Sequence, residues 1–435
     1  MRLESRTVHP VMKITFICAV FPPEPEPAGV MARQLAERLT ADGHVVSMIV
    51  PVPSRPSGVV YDGFANRFLL TEPSPSGYRV IRCPHTLLGA QRGMIRRVLE
   101  NITFGISSAG AAWRLGKPDV LIVETWPLFA VQFAALLARW WDIPFVYYVQ
   151  DVYPEAAEQA GYIREEGWVA RILRRWDRHL CRQSARVIAI SSRMSSSLSN
   201  SRGISPERIA LIPNWQDEEE FKDEVVTRKW RREQGIPYDA FVAMFAGTMG
   251  HVSGVGFLVE VADLLRNDKN ILIVCVGEGI HKAPMQERAH ALKLENIRFL
   301  PFQPRPRVVE MQRSADLMLL TMQPAVGDTS VPSKLISYLA AGRPVVCAAD
   351  AATTVASIVQ QSKSGVVVRP GDAAAVAAEI RGLASRPMEL EEMGDCARRH
   401  FEQNMTLNHA HAQFVRMLNQ IAAQKLPDTL VQANG

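Results

Sequence analysis

The sequence is short of the features that mark extracellular, metal-clustered or membrane-spanning chains. Its six cysteines (Cys18, Cys83, Cys181, Cys275, Cys347 and Cys396) include no C-x-x-C pair, and most sit inside apolar runs. That pattern excludes a disulfide framework and a thiolate zinc site, and it reads as reduced core residues of a cytosolic protein. The longest apolar run, Thr125 to Ala138, is too short to cross a bilayer. The first ten residues are polar and charged without an apolar centre, so no signal peptide is expected, and residues 1–11 read as a flexible extension. Strong charge of one sign is also missing. The 49 Lys and Arg against 44 Asp and Glu leave a net +5, far too little to argue for nucleic acid.

What bias exists is uneven. Residues 12–213 hold 23 Lys and Arg against 17 Asp and Glu, while residues 214–435 hold 24 against 26. The basic first part suits an anionic surface, membrane or otherwise. With 435 residues, 47% of them hydrophobic and 21% charged, the chain is globular and long enough for two or three domains.

Strand, loop and helix patterns alternate along it. Lys13 to Val20 reads as a strand, and Phe21 to Gly29 as a rigid loop. A helix carrying Met31, Ala32, Leu35, Ala36 and Leu39 follows, closed by Gly43, and His44 to Val50 is the next strand. Such a βαβ unit implies a parallel sheet. Further strands are expected near Phe68 and over 78–81, 119–123, 144–149, 186–190 and 208–212, with helices over 87–115, 128–141 and 168–183. The polar stretch Pro213 to Glu220 marks a boundary. Beyond it the pattern repeats: strands over 241–245, 271–276 and 297–300, an apolar segment over 314–320, and strands over 345–347 and 365–368. Helices are expected up to Leu265 and Lys293, then over 308–314, 374–383 and 406–423. This count predicts two parallel α/β domains: 12–213 and 214–400, then a helix over 401–425 and a flexible tail over 426–435.

Ligands of such sheets bind beyond the carboxyl ends of the strands. Those ends carry glycine loops here: Ala28-Gly29, Gly247 to Gly254, and Gly277-Glu-Gly279. None is a dinucleotide fingerprint. A further stretch, Val331-Pro-Ser-Lys-Leu-Ile-Ser-Tyr-Leu-Ala-Ala-Gly-Arg-Pro-Val345, follows a strand and a loop. Pro332 is placed in a helical first turn, Leu335, Tyr338 and Leu339 share an apolar face, and Ser333 and Ser337 share another. The helix N-terminus at Ser333 and the cation of Lys334 together suit a phosphate, although a surface lysine would give the same pattern.

Taken together, Phe21-Pro-Pro with Ala28-Gly29, Asp42-Gly-His44, Ile212-Pro-Asn214, Val276-Gly-Glu-Gly279, Ser314-Ala-Asp316, Leu339-Ala-Ala-Gly-Arg-Pro-Val345 and Ser364 to Asp372 resemble a family 4 glycosyltransferase of GT-B architecture, over nearly the whole length. Gln150-Asp-Val-Tyr-Pro-Glu155 with Gly161, and Val331-Pro-Ser-Lys334, resemble its WbuB/WcaI-like O-antigen and colanic acid subgroup.

The resemblance implies two Rossmann-like domains facing a cleft and a last helix crossing back to the first. The acceptor would sit on the first domain and a UDP-sugar on the second, with retention of configuration and no metal or other cofactor. It implies a polyprenyl-diphosphate-linked acceptor, hence a cytoplasmic enzyme at the inner face of the membrane. The donor-binding residues it implies are Gly29, Gly247, Thr248, Gly250, His251, Gly277, Gly279, Pro301, Asp328, Ser330, Pro332, Ser333, Lys334 and Ser337. Lys334 would stabilise the leaving diphosphate. Gln150, Asp151 and Glu155 would meet the acceptor, with Asp151 orienting or deprotonating its hydroxyl or acting only as a turn or helix-cap aspartate.

Three positions depart from the family pattern: Ser337 and Thr329 stand where acids usually hold the ribose, and Ser253 where a lysine usually stands. The arginines Arg171, Arg175, Arg178 and Arg182, with Arg92, Arg96 and Arg97, form either a membrane-facing basic surface or a solvated one. The competing readings are a GT-B sugar epimerase or hydrolase, and a non-catalytic scaffold that binds nucleotide-sugar.

Overall fold

The computed structural model describes residues 10–55, 58–67, 70–87, 94–125, 128–159, 163–165, 167–222, 229–323 and 332–425. The chain divides into two compact units, one of residues 1–213 with 409–435, the other of 214–408.

The strands of the first unit are β1 (Lys13–Ile17), β2 (Val45–Pro51), β3 (Leu70–Pro73), β4 (Arg79–Cys83), β5 (Val120–Glu124), β6 (Phe145–Val149), β7 (Arg186–Ala189) and β8 (Ile209–Leu211). They form one sheet in the order β3-β4-β2-β1-β5-β6-β7-β8. All neighbours are parallel except β3 and β4. That antiparallel edge comes from a tight hairpin: Gly77 takes φ 91° and its N–H donates to the Ser74 carbonyl. Its helices are α1 (Pro27–Ala41), α2 (Met94–Leu115), α3 (Leu128–Trp141), α4 (Glu155–Gln159), α5 (Trp168–Gln183) and α6 (Ser192–Arg202). The helix expected from Leu87 is described only from Met94, and Leu87 itself is not helical.

The second unit holds α7 (Lys229–Glu233), β9 (Phe241–Ala246), α8 (Leu258–Leu264), β10 (Ile271–Val276), α9 (Lys282–Ala291), β11 (Ile297–Leu300), α10 (Arg305–Arg313), β12 (Leu317–Thr321), α11 (Ser333–Ala340), β13 (Val345–Ala348), α12 (Thr354–Ser362), β14 (Gly365–Val368), α13 (Ala373–Ala384) and α14 (Pro387–Asn404). Its parallel sheet runs β11-β10-β9-β12-β13-β14, with one apolar core on each face. The strands are apolar almost throughout because both faces are covered. Burying them is worth roughly 25 cal/mol per Å² of apolar surface, the dominant favourable term for both units.

Three local expectations change. The helix after Gly254 is preceded by two short 3₁₀ turns, because Gly254 takes φ 56° and ends the first of them. Pro332 is the residue that flanks α11, not a member of its first turn. The closing helix begins at Leu407 rather than 401, as α15 (Leu407–Lys425), and α14 ends before it. From His409 onward α15 belongs to the first unit, where Phe414 meets Tyr148 edge to face at 5.8 Å and His411 Nε2 lies 2.8 Å from Asp42.

Candidate active site

In the second unit the strand order reverses between β9 and β12: β10 and β11 lie to one side, β13 and β14 to the other. Such a reversal is where open parallel sheets bind their ligands. Here Thr321 Oγ1 donates to the Ser253 carbonyl at 2.6 Å and the Gln323 N–H to the Val252 carbonyl at 3.1 Å, tying the end of β12 to the loop after β9. The glycines predicted there meet backbone to backbone. Gly247 donates to the Val276 carbonyl at 2.9 Å, and Met249 to the Glu278 carbonyl at 2.9 Å. A Cβ on Gly277 would strike the Gly247 carbonyl oxygen, and one on Gly279 the Met249 carbonyl. With φ of 147° and 151° as well, neither position accepts a side chain without strain.

Lys334 reaches into this arrangement from α11. Its Nζ donates to the Thr248 carbonyl at 3.3 Å and lies 4.3 Å from the centre of the Phe245 ring. A Cβ on Gly247 would collide with the Lys334 side chain, so the glycine makes room for the cation. Burial lowers the Lys334 pKa to about 8. Helix α11 is tied to β9 by Tyr338, whose hydroxyl donates to the Ala246 carbonyl at 2.8 Å and accepts from the Ala246 N–H at 3.0 Å. Ser333 opens the helix, and no side chain caps it. A cation and an uncapped helix N-terminus thus lie together beside the glycine loop after β9, a combination that suits an anion.

The other predicted donor residues are distributed as follows. His251 starts the 3₁₀ turn after Gly250, and its ring meets His281 edge to face at 5.3 Å. Pro301 is exposed beyond β11. Ser337 is buried, and its hydroxyl donates to Gln312 Oε1 at 2.7 Å in a contact between α11 and α10. Ser253 is turned inward, donating to the Gly250 carbonyl at 2.6 Å. Gly29 belongs to the first unit, in α1, where a Cβ would stand 3.0 Å from the Phe21 backbone. Asp328, Thr329, Ser330 and Val331 lie outside the described residues, as do Arg92, Gly161 and the 426–435 tail.

The first unit gathers carboxylates at its strand ends instead. Gln150 and Asp151 follow β6, and the Gln150 N–H donates to Thr125 Oγ1 at 3.0 Å. Burial raises the Asp151 carboxyl above its usual range, and among the described residues no donor reaches it. Glu155 is differently placed. Its two oxygens meet Arg202 at 2.7 and 3.1 Å, and Arg174 at 3.1 Å. Burial alone would raise Glu155, but the Arg202 hydrogen bonds outweigh it and hold the carboxyl below its ordinary range. Arg202 is fully buried and also grips Asp177 at 2.6 Å. Glu155 therefore works as part of an ion-pair network that fastens α4, α5 and α6 together.

The sequence reading missed three residues near these strand ends. Glu124 closes β5, is fully buried, and accepts the Ala19 N–H at 3.1 Å; burial raises its pKa to about 7. Glu24 is buried in the proline-rich loop and accepts from the Ser54 and Arg55 amides, each at 2.9 Å. His281 stands two residues after Gly279. An acid directly after a four-residue apolar run was the available signal for Glu124; for the other two the signal is only proximity to a glycine or proline loop. Among the described residues no group of three or more His, Cys, Asp or Glu could hold a metal ion.

The two parallel-sheet units are those of a GT-B architecture. Residues 28–215 match the family described as "Glycosyl transferase 4-like domain", and 226–400 match "Glycosyl transferases group 1". The chain belongs to the family 4 glycosyltransferases. A protein of Escherichia coli K12 named as a colanic acid biosynthesis glycosyl transferase, WcaI, is 26% identical over 412 residues, 93% of this chain and 99% of its own. Sucrose-phosphate synthase from Thermosynechococcus elongatus superposes with a TM-score of 0.73 at 16% identity, covering 95% of this chain and all of that one. HepE from Anabaena, solved with UDP, superposes with a TM-score of 0.68 at 16% identity, covering 94% of this chain and all of its own.

Proposed function

We propose that this glycosyltransferase moves a sugar, N-acetylated by preference, from a UDP-sugar to a polyprenyl-diphosphate-linked acceptor in bacterial surface polysaccharide synthesis, with retention of configuration. The observation that carries the donor half is the cradle around Lys334. Its ammonium lies beside the Thr248 carbonyl, and the residue stands in the first turn of α11, whose N-terminus no side chain caps. In this reading the cation and the helix N-terminus together stabilise the leaving diphosphate without a metal. HepE binding UDP on the same fold supports the choice of nucleotide, and the name of the WcaI relative supports the polysaccharide role. Asp151 is the group we assign to the acceptor hydroxyl. Its carboxyl is partly desolvated and has no competing donor among the described residues, as a general base requires. Ser337 does not replace the ribose-binding acid in this reading, because its hydroxyl already serves Gln312. The enzyme works at the cytoplasmic face of the inner membrane, where such an acceptor is presented.

A thermal-shift panel with UDP, GDP, ADP and TDP tests the donor half. A ligand at a hundred times its Kd stabilises by about 2.7 kcal/mol, which is readily seen. A shift with UDP alone is expected, followed by transfer of label from a UDP-sugar into lipid extracts. Absence of any nucleotide shift overturns the donor site. A shift without transfer or isomerisation would make the protein a binding scaffold, and isomerised sugar would make it an epimerase.

A further inference from the structure

One layer of the first unit carries its apolar surface outward. Helices α2, α3 and α5 lie side by side, α2 packed on α3 and α3 on α5. They connect β4 to β5, β5 to β6 and β6 to β7, all steps in one direction across the sheet. Right-handed crossovers put such helices on the same side. Their outer faces expose Leu99, Ile106 and Trp113 on α2, Leu136 and Trp140 on α3, and Trp168 and Ile172 on α5. Trp140 is 76% exposed and Trp168 70%, well beyond ordinary scatter for so large a side chain. Trp113 stacks on Trp141 at 5.8 Å and meets Trp140 at 6.4 Å, so the rings form a cluster rather than isolated groups. Apolar surface of this extent on a folded unit marks an interaction site.

The charges on the same helices identify the occupant. Arg114, Arg139, Arg171 and Arg175 are exposed. The three helices contain two carboxylates only, and neither is free: Glu100 pairs with Arg55 at 3.5 Å, and Asp177 is buried against Arg202. Exposed indoles, branched aliphatics and arginines, with the exposed acids Asp142 and Glu165 only flanking α3 and α5, match the interface of an anionic bilayer. Tryptophan settles there at headgroup depth, and arginine meets the phosphates. Among the described residues no helix is long and apolar enough to cross a membrane, so the contact is in the plane of the interface.

We propose that the α2–α3–α5 layer docks the enzyme on an anionic lipid surface, with Trp113, Trp140 and Trp168 inserting and Arg171 and Arg175 holding phosphate headgroups. This deepens the assignment of a membrane-borne acceptor and rests on it for the identity of the substrate, though not for the surface itself.

The test is flotation of the full chain with vesicles of phosphatidylglycerol and phosphatidylethanolamine that contain no acceptor lipid, beside vesicles of phosphatidylcholine alone. Binding to the anionic vesicles is expected. Each basic residue near such a surface contributes about fivefold. The pair Arg171→Glu and Arg175→Glu should therefore weaken binding at least about twentyfold. The pair Trp140→Ser and Trp168→Ser should weaken binding to both compositions, with the UDP thermal shift unchanged in either variant. Equal binding of wild type and variants overturns the proposal, as does failure of the wild type to float. A wild-type dimer that the tryptophan variant converts to monomer, with flotation unchanged, also overturns it and makes the layer a self-association face. Flotation without a UDP shift would overturn the donor assignment and leave the docking face standing; a UDP shift without flotation would do the reverse.

Discussion

The two units use the same βαβ construction but finish their strand ends with opposite chemistry. In the second, the ends of β9 and β10 are glycine backbones so close that no side chain fits, with Lys334 filling the space Gly247 leaves. In the first, the ends of β5 and β6 carry Glu124 and Asp151, both with pKa raised by burial, and the loop after β1 carries Glu24. One set offers donors and a cation, the other acceptors that take up protons readily. A shared fold therefore says little about a site; the residues at its strand ends decide which charge each unit receives.

The sharpest way to break this contrast is to remove the cation. Lys334→Ala should cut transfer by about 10²–10³-fold, the usual cost of one preorganised group at a developing anion, with circular dichroism unchanged. A near-normal rate would sink the diphosphate assignment. The wild type carries a related signature. Lys334, with its pKa near 8, is charged below that value, so UDP affinity measured by titration should fall as the pH rises past it.

On the acceptor side, Asp151→Asn should lower kcat by about a hundredfold while leaving the UDP thermal shift intact. Loss of the shift would mean that Asp151 acts through the fold instead.

Glu124 separates stability from catalysis. Its folded pKa of about 7 lies above the ordinary 4.5, so its stabilising protonated form is fully present below about pH 4.5 and lost as the pH rises through 7. Glu124→Gln should therefore raise the melting temperature at pH 8 more than at pH 5, by the equivalent of on the order of 3 kcal/mol. Equal shifts at the two pH values would show that the carboxyl is not desolvated.

Smaller effects are expected where ion pairs or hydrogen bonds are only structural. Glu155→Gln should cost about 2 kcal/mol in chemical denaturation, with kcat per folded molecule unchanged, since its partners are Arg202 and Arg174. A change in acceptor KM would restore it to the binding site. Ser337→Ala, losing one neutral hydrogen bond to Gln312, should cost about 1 kcal/mol and leave UDP affinity as it was.

Most elements with strong apolar periodicity were legible in the sequence. Helices α3 and α5 and strands β10 and β11 fall on the predicted residues. Helix α14 was not, because it buries Gly394, Ala397 and Phe401, and two of these three are too small to show as a hydrophobic stripe. Gly394 is needed there, since a Cβ would stand 2.7 Å from the Gly342 carbonyl. Helix α12 was also missed, because Thr354, Val355, Ile358 and Val359 favour strand by propensity and tertiary packing overrides them. In the site, Lys334 and the glycine loops could be read because their chemistry is local. The partners of Glu155 and Glu124 could not. Arg202 lies 47 residues from Glu155 and Ala19 105 residues from Glu124, and nothing in a linear pattern announces such a contact.

The return of α15 to the first unit has a consequence for synthesis. Phe414, Met417, Leu418 and Ile421 are buried residues of that helix, and they leave the ribosome after every strand of both sheets. Translation runs from the amino end, so the unit made first cannot close its core until the second unit and α15 after it have emerged. The nascent first half must wait with Tyr148 and its neighbours uncovered. A chain terminated just before His409 would therefore compromise the unit whose strands were all made hundreds of residues earlier.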